Sequence, residues 1–561
     1  MKFIKYLVAG ALALCASASI CNAQNVRFLG GGSSALFQEL GSASQSIPGI
    51  SCIWTHSGGA TVAANDARPG AGLENGMEFV AWGTNGGANC QSPAPGFDIY
   101  AYMQLDSVIG DRCYFENDGT GSGCIQVLTV SALDPGSSPS KVVGQTDTPI
   151  PAAVINALNG QHFFVAGTDV RPEDAKFATM RILTPCNQLI PRQPFNQDSY
   201  YTFGLGYQTG NPNVGTPVQG VAALGGGSFN VVNFNIVGND PITGSPVRAY
   251  ATNTVGAQPI VISVSPITDA AGVGAASDVN GFTLTLFYQG VLGRSTDLIG
   301  PPSPAKAVTV LVREPLSGTY NTFEYSVPNG TQFHASQDYG NCLGSGAVWT
   351  NPFNLANANG IVGSRQRVIG TGKMVAALQA GAVSDNRMGY FFWSAGNGSG
   401  LTNVKYLKVN GIDPFYDAGA AYDGVIPGND IGHPLTSITF GQINAGNYPI
   451  WSALRLVGPP GNAGVATMLT ALNTINPTQH DYIAPANLKV WHSHFYINGI
   501  GLGTQEGNGN TIASPNDLCS TVAPPVAEVG GDAGGANLLV KNNLQFCMDY
   551  NAPIGLVNKT Q

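Results

Sequence analysis

The sequence predicts an α/β protein folded into two lobes, and three observations predict it. Strand-like and helix-like segments alternate along the chain, which favours largely parallel sheets. At 561 residues the chain is longer than one hydrophobic core organises. Three junctions also share one form, an apolar strand, a turn carrying glycine and hydroxyls, then a helix start: "FLGGGSSALFQEL", "VAGTDVRPEDA" and "VREPLSGTYNTFEY".

The elements follow in order. Lys2 and Lys5 precede the apolar run "YLVAGALALCA", and small residues close the segment at Ala23. This is the pattern of a secretory signal, so residues 1–23 are expected to direct export to the periplasm or beyond. The run is too short to span a bilayer comfortably. From Asn25 to Ala132 the pattern is mostly strand and turn, and "FDIYAYMQLDSV" alternates apolar and polar residues. "SALFQELGSAS" is the exception, with helical spacing through Leu36, Phe37 and Leu40. "IPAAVINALNG" reads as a helix ended by glycine. In "QHFFVAGTDVRPEDAKFATMRIL" a buried strand turns at Gly167–Asp169, and a helix begins near Pro172 with Glu173 and Asp174 at its positive end. "SFNVVNFNIVGND", "KAVTVLVRE", "RMGYFFWS" and "YPIWSALRLVG" read as strands or β-rich segments, and "GKMVAALQAG" and "GVATMLTALNTI" as helices. "STVAPPVAEVGGDAGGANLL" reads as a loop or tether.

Loss of Lys2 and Lys5 with a signal leaves 22 basic residues against 33 acidic ones, a formal charge of −11. Such a balance argues against non-specific nucleic-acid binding and leaves room for a local anion site. Eight cysteines lie beyond Ala23: Cys52, Cys90, Cys113, Cys124, Cys186, Cys342, Cys519 and Cys547. An even number in an exported chain points to disulfides. Cys113 and Cys124 flank the turn-rich "YFENDGTGSG" and form the first expected pair; Cys519 with Cys547 is the second. No CxxC, HExxH, GxSxG or P-loop occurs, so neither a metal nor a cofactor is expected. His492 and His494 in "WHSHF" lack a nearby third ligand and read as structural.

The chemistry lies at the three junctions. In "VREPLSGTY", Ser317, Gly318 and Thr319 fall at a helix start, where free N–H groups and the helix dipole favour an anion. Gly318 permits close approach, and Arg313 supplies a planar fork matched to a tetrahedral oxyanion. Ser33 and Ser34 sit at the mouth of the first junction, and Thr168 and Asp169 at the second.

Together these segments resemble the phosphate-type substrate-binding proteins of ABC transporters, of the type II periplasmic binding protein class. "GGGSS" resembles that family's N-terminal turn, "AGTDVRP" its aspartate turn, and Arg313, Ser317, Gly318, Thr319 and Phe323 its "RxxxSGT…F" segment. "GTGKMVAALQAGAVSDNRMGYFFWS", "VKYLKVNGIDP" and "YPIWSALRLV" follow in the family's order. The resemblance implies two hinged α/β lobes with mixed, largely parallel sheets around a ligand cleft. It further implies that Ser34 donates a hydroxyl, Asp169 accepts the proton of a protonated oxyanion, Arg313 is the cation, and Ser317–Thr319 cradle the anion. Ala35 stands where the family has Phe, keeping the backbone donor without the apolar lid. Ser57 and Ser107 are both candidates for the family's second serine.

The implied organisation is a first lobe at 24–205 with a β-rich, disulfide-bearing insertion at about 41–161, a second lobe at 206–392, and a return with a C-terminal extension at 393–561. The hinge is expected near Tyr200–Tyr207 and again near Trp393–Tyr406. The function implied is non-enzymatic capture of phosphate or a similar oxyanion, with an ABC permease as partner. The alternative is a structural or adhesive surface protein that keeps the fold without a ligand. A phosphate-ester hydrolase has the same cradle but no nucleophile–base pair in the sequence.

Overall fold

A computed structural model describes residues 25–57, 76–84, 89–115, 140–142, 150–158, 161–170, 172, 239, 244–288, 292–301, 304–313, 317–327, 348–350, 363–368, 370–445, 447–475, 481–484, 487, 505–507 and 510–512. The signal segment, Tyr200–Tyr207, "SFNVVNFN", the C-terminal tether and the "WHSHF" histidines lie outside these residues.

Among the described residues, thirteen strands share one mixed sheet. In its first half, β1 (Asn25–Ser33) lies parallel between β4 (Asp98–Leu105) and β6 (Val165–Thr168). Beyond β4 the antiparallel strands β3 (Gly76–Trp82), β2 (Cys52–Ser57) and β5 (Ser140–Val142) extend one edge. In the second half, β8 (Val308–Arg313) lies parallel between β10 (Ser364–Val368) and β11 (Asn386–Phe392), and β9 (Val348–Thr350) closes the far edge. The short β12 (Lys405–Tyr406) pairs with β7 (Ala251–Ser265).

The fifteen-residue β7 (Ala251–Ser265) joins the halves. Residues 251–259 run antiparallel to β13 (Trp451–Gly458), which also pairs with β6; residues 260–265 run antiparallel to β11. The crossing therefore falls between Pro259 and Ile260. There Trp393 N donates to Pro259 O at 2.9 Å, and Ile260 N to Ile450 O at 2.8 Å. Residues 251–259, placed in the second lobe by a 206–392 boundary, thus pair in the first half's sheet. Within 41–161, β4 is likewise a central strand, while β2, β3 and β5 are the outward extension. This is the two-lobed α/β fold class that the motifs imply.

The helices pack where their apolar stripes require. Helix α1 (Phe37–Ser46) follows a single 3₁₀ turn at Ser34–Leu36 and buries Phe37, Leu40 and Ala43. Helix α2 (Ser107–Phe115) corrects the strand-and-turn expectation for that stretch. It can lie directly on β1 because Gly110 has no side chain: a Cβ there would stand 2.5 Å from Gly31 O. Helix α3 (Ala152–Leu158) matches the segment read as "IPAAVINALNG", and α4 (Gly281–Tyr288) and α5 (Gly318–Ser326) belong to the second half. Helices α6 (Thr371–Gln379) and α7 (Ala463–Ile475) form where "GKMVAALQAG" and "GVATMLTALNTI" predict them.

The rear of α5 is held by an aromatic stack. Phe323 lies 3.9 Å, centroid to centroid, from Tyr390 of β11 at an interplanar angle of 7°, and 4.4 Å from Tyr288 of α4. All three rings are fully buried. Burial of one such ring contributes about 2–3 kcal/mol, so the stack fixes where the front of α5 points.

Cys52 and Cys90 form a disulfide that ties β2 to the segment after β3, and Trp82 Nε1 donates to Cys90 O at 3.1 Å. Cys113 is disulfide-bonded as well. Its partner lies outside the described residues, as do Cys124, Cys186, Cys342, Cys519 and Cys547. The Cys52–Cys90 bridge spans 38 residues, for which chain entropy corresponds to about 4 kcal/mol before native-state strain is subtracted. A Cys52→Ala/Cys90→Ala variant should therefore lose about 2–4 kcal/mol in denaturant unfolding, with an unchanged far-ultraviolet spectrum. A loss below about 0.5 kcal/mol would mean that the bridge leaves the unfolded chain unconstrained.

Candidate functional site

The three junctions converge at the ends of β1, β6 and β8, where the two halves meet and where the motifs lead one to expect the ligand cleft. At the first, Gly32 has φ +141°, and a Cβ there would stand 2.0 Å from Gly167 O, so the ends of β1 and β6 approach as only glycine allows. Ser33 caps the following turn, its Oγ accepting from Ala35 N at 3.2 Å. The Ala35 N–H, expected to face a ligand, is thus engaged by Ser33. Ser34 is half-buried and reaches across the cleft, where its Oγ lies 3.1 Å from Thr371 Oγ1 at the start of α6.

At the second junction the Thr168 hydroxyl contacts Val170 O at 2.6 Å and Asp111 Oδ2 at 3.2 Å, and it accepts from Val170 N. Thr168 braces the turn that presents Asp169. The Asp169 backbone is held from β13: Ser452 Oγ donates to its carbonyl at 2.8 Å, and Arg455 Nη1 lies 3.5 Å from the same oxygen. Its side chain is fully buried. Oδ1 accepts a hydrogen bond from Ser107 Oγ, at the start of α2, while Oδ2 has no hydrogen-bond partner among the described residues. Of the two candidate serines, Ser107 meets this carboxylate. Ser57 ends β2, with β3 and β4 between it and β1.

At the third junction Ser317 caps α5, its Oγ accepting from Tyr320 N at 3.4 Å, and its carbonyl accepts from Asn321 N and Nδ2. The N–H groups of Gly318 and Thr319 belong to the first helical turn, which has no acceptors within the helix. Gly318 faces Asp169 so closely that a Cβ would fall 1.3 Å from Asp169 Oδ1 and 2.5 Å from Oδ2. Arg313, at the end of β8, is 2% exposed. Its backbone N donates to Tyr390 Oη at 3.3 Å, Nη1 donates to Thr371 Oγ1 at 2.8 Å, and Nη2 lies 3.7 Å from Asp106 Oδ1.

The cleft thus brings together Ser34, Ser107, Asp169, Arg313 and the Ser317–Thr319 turn. Ser33 and Thr168 serve as turn braces, and Ala35 N is bonded internally. Thr371, Asp106, Ser452 and Arg455 are structural members that sequence reasoning does not single out. Thr371 carries a readable signal, because "VIGTGKMVAAL" is a fourth strand, glycine turn, hydroxyl and helix start. Arg455, inside the apolar run "YPIWSALRLVG", shows only as a charge in a strand buried along its length. Among the described residues, no cluster of three or more His, Cys, Asp or Glu is placed to hold a metal ion.

Burial pushes the Asp169 carboxyl up from 3.8 to about 6, opposed by the Ser107 hydrogen bond, the backbone of Asp169 itself, and the charges of Arg313 and Arg455. A buried carboxylate with one bonded and one unbonded oxygen, beside a guanidinium and a helix N-terminus, suits an anion that itself carries a proton.

No family model matches the chain, and no curated protein matches it. Among solved structures it is similar to a phosphate-binding protein from Stenotrophomonas maltophilia, with 14% identity and a TM-score of 0.34 over 83% of this chain and 92% of that one. It is similar to an ancestral soluble variant of the human phosphate binding protein, with 11% identity and a TM-score of 0.31 over 92% and 98%. A putative phosphate ABC transporter substrate-binding protein from Clostridium perfringens, solved with bound phosphate, shares 12% identity with a TM-score of 0.26 over 42% and 72%.

Because the folded state raises the Asp169 pKa, its contribution to stability is fully present below about pH 4 and is lost as pH rises through about 6. The stability of the wild type minus that of Asp169→Asn should then fall by about 2–3 kcal/mol between pH 4 and pH 7. Paired urea titrations across that range measure it; a flat difference would show a carboxyl titrating as it does in water.

Proposed function

We propose that the chain is an exported solute-binding protein that captures a tetrahedral oxyanion, inorganic phosphate, in the cleft between its halves, without catalysis. The observation that carries this reading is the buried Asp169 carboxylate, with Oδ2 unpartnered, set against the N-terminus of α5. Donors from four residues, Arg313, Gly318, Thr319 and Ser34, support the reading. Arg313 supplies charge-assisted bonds, each contributing about 1.5–3 kcal/mol net. The Gly318 and Thr319 N–H groups supply directional ones, and the hydroxyls of Ser34 and Thr319 add more. Asp169 supplies selectivity: as a carboxylate it accepts from the hydroxyl of a protonated phosphate and repels a fully ionised sulfate. Above about pH 6 Asp169 is ionised, so this discrimination operates at neutral pH. Among the described residues no helix is long and apolar enough to cross a membrane; the basic, apolar start of the sequence is what supports export. A captured phosphate would pass to a membrane permease of the ABC type. Nothing in the described cleft favours the adhesive alternative.

Titration calorimetry on refolded, phosphate-stripped protein tests the reading, with micromolar binding of phosphate and no heat from sulfate as the expected result. Arg313→Ala should weaken phosphate binding at least tenfold, since about 1.4 kcal/mol is one decade. Arg313→Lys should recover little, because an ammonium lacks the planar fork. No heat with phosphate from the wild type, or a change below twofold in Arg313→Ala with the fold intact by circular dichroism, would overturn it.

A further inference from the structure

The Thr371 hydroxyl makes two polar contacts, one within its own half and one with the other half. Arg313 Nη1 donates to Thr371 Oγ1 at 2.8 Å within the second half, and Ser34 Oγ of the first half lies 3.1 Å away. Thr371 is 6% exposed, at the start of α6 behind Gly370, whose φ of +79° makes the turn.

Proton bookkeeping fixes what this arrangement does. A guanidinium has donors only, so Thr371 Oγ1 must accept from Arg313. Each hydroxyl carries one proton. If Ser34 spent its proton on Thr371, it would turn lone pairs towards an anion and repel it. With an anion in the cleft the favourable order is therefore Arg313 Nη1–H to Thr371 Oγ1, Thr371 Oγ1–H to Ser34 Oγ, and Ser34 Oγ–H to an oxyanion oxygen. Hydrogen bonds aligned in this way polarise one another. The Ser34–Thr371 contact joins the two halves, so it forms only when they are together.

Resting on the anion-binding reading above, we infer that Thr371 is a positioning residue and interlobe latch. It orients the Arg313 guanidinium, commits the Ser34 proton to the ligand, and slows opening of the closed cleft.

Two substitutions separate this from a packing role. Thr371→Val keeps the shape and loses the hydroxyl; Thr371→Ser keeps the hydroxyl and loses the methyl. Inorganic phosphate is titrated into the wild type and both variants, with stopped-flow dissociation in parallel and circular dichroism to establish folding. The expected result is that Thr371→Val binds about tenfold or more weakly, chiefly through faster dissociation, while Thr371→Ser stays within about threefold of the wild type. Wild-type affinity in Thr371→Val, or equal weakening in both variants, would overturn the assignment. Should Thr371→Val not fold, Thr371→Ala takes its place with the same expectation. If the wild type itself gives no heat with phosphate, it is the anion reading that fails. The latch is then decided by small-angle scattering: a larger radius of gyration for Thr371→Val than for the wild type supports it, and equal radii overturn it.

Discussion

A carboxylate pressed against the first turn of a helix sets the terms for this molecule. Asp169 and Gly318 come from opposite halves, yet a single added carbon at 318 would overlap the carboxylate. Such an approach demands glycine on one side. On the other it demands that a buried charge be compensated, because ionisation away from water is costly. The compensation is distributed. Ser107 bonds one carboxylate oxygen, Ser452 and Arg455 hold the backbone from β13, and Arg313 contributes charge from β8. Ser107 starts a helix, Arg313 ends a strand, and Ser452 and Arg455 lie within β13, so the packing of the secondary structure fixes the electrostatics.

Much of this arrangement is legible in the sequence. The three junctions can be read because glycine, hydroxyls and an apolar strand have distinct local signatures, and Ser34, Asp169, Arg313 and the Ser317–Thr319 turn do lie together. Strands β1, β4, β6, β8, β11 and β13 and helices α1, α6 and α7 can be read from the sequence, whereas β7, the longest strand, is not among the segments read as strands. Helix α2 is not readable in this way. Its stretch "SVIGDRCYF" contains glycine in mid-helix, a residue of poor helix propensity, and that glycine is there for contact with β1. The choice between Ser57 and Ser107 also stays open until topology places one beside Asp169 and the other two strands further out. Ala35 shows the limit of pattern matching: its backbone N–H exists at the expected place, but the neighbouring Ser33 side chain takes it. Pairwise contacts across the cleft, such as Ser34 with Thr371, are 337 residues apart and leave no local trace.

The outer strands show another division of labour. β2, β3 and β5 lengthen the sheet on one edge only, and the Cys52–Cys90 bridge stiffens that edge. The additions are far from the ends of β6 and β8 that carry the cleft. The first half is therefore extended sideways, away from the ends of β1 and β6 that meet the second half.

Since β7 belongs to both halves, they are not beads on a string. They share a ladder, and a relative rotation has to be absorbed within it. At the changeover stands Pro259, which has no N–H to give; its carbonyl is taken by Trp393. The ladder therefore has a missing rung at the place where its two flanking partners, β13 and β11, exchange. A bend there finds one backbone donor fewer than at a residue that carries an N–H. A continuous sheet thus acquires a preferred crease, and the direction of that crease is set by strands rather than by a loose tether.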